Sequence, residues 1–284
     1  MTISIVIPTY NNINYLKLCL DSLKKNSTHN HVIKLHINDG SDGTLDFAKK
    51  NNIFYTYSKN NIGLCSAINK VSATVNSDYI LYAHDDMYFC PGWDNVLLME
   101  IKKIDHSLFY LSGTMIESNS AHISFNCGSS PETFDENKLL QNFLNLDYYD
   151  HQGSHFAPHL VPKKLWDQVG GFSEEFNPGM GSDPDFNMKL WVEGVRIFKG
   201  INKFRVYHFS STTTRKNINI KKNKGDVTFI KKWGISHKFF KKHYLKSRTL
   251  YVAPLNNPDK NFIYYLDLFL CKLKIIYLKI LFQI

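Results

Sequence analysis

The chain has 284 residues, of which 43% are hydrophobic and 21% are charged, so it can bury a large core and is not intrinsically disordered. Its net charge of +9 favours anionic ligands such as phosphates, acidic lipids or nucleic acid. Its five cysteines include no CxxC pair, which argues against a disulfide framework or a zinc site and fits a reducing cytoplasm. The first residues lack the basic and long apolar segments of a signal peptide, so we expect a cytoplasmic protein.

Strands and helices alternate through the first 83 residues. The predicted strands are Ile3–Ile7, Val32–Ile37, Ile53–Tyr57 and Tyr79–Ala83. The predicted helices cover Leu16 to Leu23, Leu45–Lys50 and Leu64–Val71. We expect the first strand to stop at Pro8, because proline cannot donate to a central ladder. This alternation predicts an α/β fold with a mostly parallel sheet and helices on both faces.

Polar residues follow three of these strands, at Pro8-Thr9-Tyr10, Asn38-Asp39 and His84-Asp85-Asp86. Ligands of parallel sheets bind at the carboxyl ends of the strands, so we expect the three clusters to form one site. Adjacent carboxylates at such a place can bind Mg²⁺ or Mn²⁺ together with a diphosphate. The alternative for Asp85 and Asp86 is a solvated turn.

The pattern is less regular after residue 107. Strand candidates are Leu108–Ser112, His122–Phe125, Phe156–Val161 and Phe204–His208, and residues 126–152 are expected to form loop and short helix. A helix is predicted to start at Asp183-Pro184, with Asp183 as its cap and Pro184 as its first residue, and to end near Glu193 before Gly194.

Asp183 is the candidate catalytic base. As a helix cap it would accept backbone N–H groups, which would lower its pKa and keep it ionised. The alternative is that Asp183 is only a cap. Asp185 lies two positions further, about 200° around the helix, so the two carboxylates cannot form one paired site.

The C-terminal part of the chain is basic and then apolar. Asp226 is the only acid among twelve basic residues: Arg215, Lys216, Lys221, Lys222, Lys224, Lys231, Lys232, Lys238, Lys241, Lys242, Lys246 and Arg248. The segment from Phe262 to Ile284 is apolar but carries four charges, too many for a clean membrane span. It predicts either an interfacial helix at an anionic membrane surface or a helix packed on its own domain or on another subunit.

Six short motifs occur in order along residues 1–210, and together they resemble the family 2 glycosyltransferases with the GT-A (Rossmann-like) fold. The motifs are Val6-Ile7-Pro8-Thr9-Tyr10-Asn11, Asn38-Asp39-Gly40-Ser41-Asp42-Gly43-Thr44, Asn60-Asn61-Ile62-Gly63-Leu64, His84-Asp85-Asp86, Val169-Gly170-Gly171-Phe172 and Ser182-Asp183-Pro184-Asp185. The resemblance implies a nucleotide-binding half of about residues 1–107 and an acceptor half of about residues 108–210. Residues 211–284 would then be a helical C-terminal extension.

The resemblance also implies roles for individual residues. The nucleotide side would comprise Pro8, Thr9, Tyr10, Asn38, Asp39, Asn60, Gly63 and Asp85. Asp86 would be the main metal ligand, with His208 on the metal side and His84 at the first acidic position of the DxD motif. Asp183 falls on the catalytic base of inverting members, and Gly170, Gly171 and Phe172 would shape the acceptor side.

This chain departs from the family pattern at His84, Ser182 and Asn38, each of which stands where an acid is usual. Because Asp86 and Asp183 remain, we expect a metal-dependent inverting enzyme. It would move a sugar from a nucleotide-diphosphate sugar, most simply a UDP-sugar with Mn²⁺ or Mg²⁺, to a hydroxyl of a glycan or lipid-linked acceptor.

Three other functions are considered. A catalytically inactive scaffold that binds nucleotide or glycan is supported only by the altered DxD motif. A dinucleotide-dependent oxidoreductase would need a GxGxxG motif after the first strand, and this chain lacks one there. A nucleic-acid binder could use the basic block, but no recognised motif accompanies it, so nucleic acid is not an expected partner.

Overall fold

The structure, a computed structural model, describes residues 2–119, 122–210 and 225–282. The basic residues between 211 and 224 therefore lie outside the described ranges. The strands are β1 Ile3–Tyr10, β2 Val32–Asn38, β3 Phe54–Ser58, β4 Tyr79–Tyr82, β5 Met87–Phe89, β6 Phe109–Glu117, β7 Ile123–Ser124, β8 His151–Gln152, β9 His159–Pro162 and β10 Ile197–His208.

Seven helices accompany the sheet: α1 Ile13–Asn26, α2 Thr44–Lys50, α3 Leu64–Ser72, α4 Trp93–Ile101, α5 Glu136–Asn142, α6 Lys163–Gln168 and α7 Ser182–Val192. Short 3-10 turns lie at Pro131–Thr133 and Glu174–Phe176. The extension contains α8 Gly225–Trp233, α9 His237–Phe239 with a π-helical turn at Phe240–Tyr244, and α10 Phe262–Phe282.

The strands form one sheet in the order β3-β2-β1-β4-β9-β6-β10-β5, with β7 and β8 attached to β6 and β10. Strands β3, β2, β1 and β4 are all parallel, and β6 is parallel to β10. The inserted strand β9 is antiparallel to both of its neighbours, β4 and β6. The α/β prediction is confirmed, and every parallel strand points its carboxyl end to the same edge.

The prediction that the first strand stops at Pro8 is wrong, because β1 continues to Tyr10 and pairs with β2 as far as Asn38. The backbone polar groups of Val6 and Pro8 both point toward β4. On that side the carbonyl of Val6 accepts the N–H of Ala83 at 3.1 Å. Strand β4 ends at Tyr82, so β4 offers no carbonyl opposite Pro8. Proline therefore leaves no hydrogen bond of the ladder unmade at this position.

Two strands of the second half are longer than the sequence pattern predicts. β6 extends to Glu117 and is buried throughout, and β10 begins at Ile197, before the predicted Phe204. A strand that is buried on both faces shows no alternation of polar and apolar residues, which hides its ends in the sequence. These longer strands bring Glu117 and His208 to the same edge as the N-terminal polar clusters.

The described part of the extension packs on the sheet domain. Leu255 donates its N–H to the carbonyl of Arg196 at 2.8 Å, and Gln152 donates to Thr249 at 2.7 Å. Farther along, Trp191 of α7 contacts the rings of Phe240 and Tyr244. None of the described helices is both long and apolar enough to cross a membrane.

Candidate active site

The carboxyl ends of β1 and β4 place Asp85 in a polar environment. Asp85 is 8% exposed and accepts a hydrogen bond from Asn12 Nδ2 at 3.1 Å. Burial and the neighbouring Asp86 raise the pKa of Asp85, and the side chains of Thr9 and Asn12 oppose that rise. Thr9 and Asp85, assigned to the nucleotide side from the sequence, therefore do lie together.

The end of β2 holds a tight loop. Asp39 has a left-handed backbone with φ 63° and accepts from Asn11 Nδ2 at 2.8 Å. The amide oxygen of Asn38 accepts the N–H of Ile62 at 3.1 Å, which fixes the loop after β3 against the end of β2. The side chain of Asn38 therefore has a structural role here. Tyr10, at the end of β1, is half-buried beside this loop, and Pro8 is buried.

Gly63 is required by packing. Its φ is 85°, and a Cβ placed there would lie 2.3 Å from Asn177 Oδ1. Asn177 caps α3 through a hydrogen bond from the N–H of Cys65 at 3.0 Å. The segment before α7 is thus held against the nucleotide-side loop, while Asn60 remains exposed at the rim of that loop.

Three side chains form a group suited to a metal ion. One ligand atom from each of His84, Asp86 and His208 can be chosen so that all three lie within 4.8 Å of one another. His208 Nε2 lies 3.2 Å from Asp86 Oδ1 and His84 Nδ1 lies 3.9 Å from it. Burial lowers the pKa of His84 to about 4, so its imidazole is neutral and keeps a lone pair for a ligand.

Glu117 orients the second histidine. Its Oε1 lies 2.6 Å from Nδ1 of His208, while Nε2 is buried with no hydrogen bond of good geometry among the described residues. A carboxylate on one ring nitrogen, with the other nitrogen directed at the candidate ligands Asp86 and His84, is the arrangement of metal-binding histidines. Burial lowers the pKa of His208, but Asp86 and Glu117 outweigh burial and raise it to about 10. The donor set therefore fits a divalent ion, which would displace that proton on binding.

Asp183 differs from its prediction. Helix α7 begins at Ser182 with Gly181 as its cap residue, so Pro184 is its third residue, and Asp183 makes no capping hydrogen bond. Its Oδ1 is buried and has no hydrogen-bond partner within the described chain. Burial raises the pKa of Asp183 to about 7, so the predicted lowering by a cap is wrong. The end of the helix at Gly194, with φ 91°, is confirmed.

Tyr82 connects the two regions that carry the carboxylates. Its hydroxyl is buried, and burial followed by the charges of Asp183 and Asp86 raises its pKa, so both carboxylates lie within electrostatic reach of it. The ring of Tyr82 lies 5.3 Å from that of His84 and 5.4 Å from that of Phe172. Acids about 100 residues apart in the chain therefore face one region of the molecule.

Asp185 faces away from this region, as its position on the helix predicts. It is fully buried and accepts from Ser173 Oγ at 2.6 Å and from Trp233 Nε1 at 2.7 Å. Lys232 Nζ lies 3.0 Å from Asp185 Oδ1, the oxygen that also accepts from Trp233. Two of these three partners belong to α8, so the extension holds the helix that carries Asp183.

The Gly170-Gly171-Phe172 segment has a packing function. Gly170 is exposed with φ 71°, and a Cβ on Gly171 would lie 2.4 Å from Asn69 Oδ1. Phe172 is 1% exposed and its ring lies 5.0 Å from that of Phe186 on α7. The segment packs against α7, and its role toward the acceptor stays a prediction.

Sequence reasoning missed Glu117, Asn12, Tyr82 and Asn177. Glu117 follows Met115 and Ile116 at the end of a strand, the same signal that marked Asp85 and Asp86, and could have been found that way. Asn177 leaves no such signal, because its partner in α3 is more than 100 residues away.

Comparison with known proteins agrees with this geometry. Residues 4–159 match the family described as Glycosyl transferase family 2, which is more than half of the chain. The hyaluronan synthase of Pasteurella multocida is 30% identical over 227 residues, which cover 75% of this chain and 21% of that protein. The chondroitin synthase of the same species is 29% identical over 234 residues, covering 78% of this chain and 22% of the synthase. This chain therefore spans about a fifth of either synthase.

An uncharacterised glycosyltransferase of Rickettsia typhi is 26% identical over 227 residues, covering 76% of this chain and 67% of that protein. Among solved structures, residues 1–349 of S. aureus TarS superpose with a TM-score of 0.56 at 17% identity, covering 74% of this chain and 61% of TarS. The same TarS fragment has been solved in complex with UDP-GlcNAc and superposes with a TM-score of 0.54 at 19% identity, covering 75% of this chain and 61% of that one. The chain belongs to glycosyl transferase family 2 and has the GT-A fold.

Proposed function

We propose that this protein is a metal-dependent inverting glycosyltransferase that uses a UDP-sugar and transfers its sugar to a hydroxyl of a glycan or lipid-linked acceptor. The observation that carries the proposal is Asp183: its Oδ1 is buried without a hydrogen-bond partner in the described chain, its pKa is raised to about 7, and its charge reaches the same tyrosine as that of Asp86. Structures of TarS with UDP and with UDP-GlcNAc support the choice of donor.

Asp86 and His208 would hold the divalent ion, with His84 as a further ligand. A carboxylate and neutral imidazoles suit Mn²⁺ better than Mg²⁺, which prefers oxygen ligands. When bound, the ion offsets the negative charge that develops on the departing diphosphate. Glu117 keeps Nε2 of His208 directed at the ligand position by holding Nδ1.

Asp183 accepts the proton of the acceptor hydroxyl. A pKa near 7 gives a base that is about half ionised at neutral pH and basic enough to assist the attack. The acceptor oxygen forms its bond to the anomeric carbon as the bond from that carbon to the diphosphate breaks on the opposite face. The proton ends on Asp183, the electron pair leaves with UDP, and the product has inverted configuration.

The acceptor assignment rests on the relatives. Hyaluronan and chondroitin synthases are named for glycans that they make, which supports a glycan hydroxyl in this chain. A lipid-linked acceptor and a peripheral position on an anionic membrane surface are supported by the basic, apolar extension.

The test is release of UDP from a panel of UDP-sugars with Mn²⁺, measured with and without glycan acceptors, followed by NMR of the anomeric proton of the product. Inverted configuration and loss of turnover with EDTA are expected. UDP-sugar binding without any turnover by the wild-type protein would instead support the inactive scaffold. Retained configuration would contradict the role of Asp183.

A further inference from the structure

A basic cavity of about 580 Å³ lies outside the candidate active site, between the loop that holds His155 and the chain from α9 to Thr249. Five cationic side chains and no carboxylate line it: Lys238, Lys241, Lys242, Lys246 and Arg248. We call this the basic cavity. Burial and the charges of Arg248 and Lys238 lower the pKa of Lys241, against the opposing charge of Asp226.

The charge of the basic cavity is only partly compensated. Within the described ranges only Lys242 of the five makes an ion pair, with Asp267 at 2.7 Å. Residues outside those ranges include no Asp or Glu, so they cannot supply a side-chain carboxylate either. A cluster of cations with few acids beside it attracts anions, and phosphate is an anion that both lysine and arginine bind.

Helix α10 exposes its apolar side. Its packed face carries Tyr264 and Cys271, which are 8% and 7% exposed, together with Asp267, which accepts from Lys242 and His243. The opposite face is a stripe of large apolar residues at helical spacing, each between 46% and 80% exposed: Phe262, Ile263, Leu266, Phe269, Leu270, Leu273, Ile276 and Tyr277. We call this the apolar stripe. A contiguous exposed apolar surface of this kind marks a contact with another molecule or with a membrane.

The basic cavity and the apolar stripe are adjacent. A second cavity, of about 260 Å³, is lined by Lys238 and Lys242 from the basic cavity and by Leu270 and Lys274 from α10, together with the acids Asp226 and Asp267. Cations therefore flank one side of an exposed apolar helix. That combination matches the two parts of an anionic phospholipid, a phosphate group and acyl chains.

We propose that this surface docks on an anionic bilayer, with a phospholipid phosphate in the basic cavity and the acyl region against the apolar stripe. A protein partner could pack on the apolar stripe alone and would leave the basic cavity unexplained. Soluble phosphate would use the charge but leave the stripe exposed. The inference does not depend on the transfer reaction, and its test measures binding alone.

The experiment is cosedimentation of the full chain with vesicles of phosphatidylcholine alone and of phosphatidylcholine mixed with phosphatidylglycerol. We expect binding to the anionic vesicles that weakens as salt is added. Lys238→Ala with Arg248→Ala should weaken it about thirtyfold, at roughly fivefold for each charge near the surface. The matched control is Lys49→Ala with Lys50→Ala, two exposed lysines at the end of α2, which should change binding less than about twofold.

A second variant tests the stripe. Leu266→Ser with Phe269→Ser should abolish vesicle binding and leave thermal unfolding unchanged, because both side chains are exposed. If the cavity variant does not fold, Lys246→Ala, which removes an exposed charge, takes its place. Calorimetry with inorganic phosphate and light scattering of the lipid-free protein complete the set.

Four results would overturn the proposal. The first is equal binding to both vesicle types. The second is an equal loss of vesicle binding in the cavity variant and in its lysine control. The third is binding of inorganic phosphate without binding of vesicles. The fourth is a dimer in lipid-free solution that the stripe variant dissociates, which would assign the stripe to a second copy of the chain.

Discussion

Replacing Asp183 by asparagine tests both the chemistry and the electrostatics of the site. The unfolded carboxyl has a pKa of 3.8 and the folded one about 7. Between those pH values the folded protein holds one more proton than the unfolded protein, so stability falls as pH rises through that window and is constant above it. Asparagine has the same shape and cannot ionise, so the variant escapes this loss.

The expected magnitude follows from that difference in pKa. The free energy of unfolding of Asp183→Asn, minus that of the wild type, should grow by about 2–3 kcal/mol between pH 5 and pH 8. Transfer should fall by about 10²–10⁴, the usual contribution of a general base. Wild-type turnover should rise with pH through about 7 and then level off, because the base must be ionised.

The assay is urea unfolding of both proteins across that pH range without metal or donor, with UDP release measured in parallel. Asp167→Asn is the control, since that carboxylate is 57% exposed and its loss should give no comparable pH-dependent difference. The reasoning is refuted if the stability difference is independent of pH, or if Asp183→Asn turns over like the wild type.

Three further predictions concern the support of the site. Glu117→Gln should weaken Mn²⁺ binding about 10–100-fold by releasing the ring of His208, measured by electron paramagnetic resonance. Lys232→Met should lower the free energy of unfolding by about 1–3 kcal/mol, because Asp185 stays buried and loses its cation. Gly63→Ala should lower it by about 2–4 kcal/mol in urea, through both its positive φ and the clash with the asparagine that caps α3.

Each of these has a matched control. Glu100→Gln removes a carboxylate that pairs with Lys199 and should leave Mn²⁺ affinity unchanged. Lys231→Met alters the exposed neighbour of Lys232 and should be nearly neutral. Gly92 has φ 75°, and no atom lies within 4 Å of a Cβ added there. The loss of unfolding free energy in Gly92→Ala therefore reports the positive φ alone, without a clash. If a variant and its control change the measured quantity equally, the role assigned to that contact is contradicted.

The sequence by itself predicted the alternation of strands and helices through residue 83 and the polar clusters after three of the first four strands. These features are local, since strand and helix periodicity and turn residues are read within a few positions. The resemblance then singled out Asp86, Asp183 and His208, which the structure brings to one region.

Only the tertiary structure decided how those residues behave. Asp183 carries a raised pKa because its carboxyl is desolvated, with Oδ1 buried and unpaired among the described residues, which no neighbour in the sequence reveals. Glu117 meets His208 across 91 positions, and Lys232 meets Asp185 across 47. The exposed side of α10 follows from which of its faces packs on the domain. Burial and long-range partners are set by how elements pack, and local propensity carries no information about either.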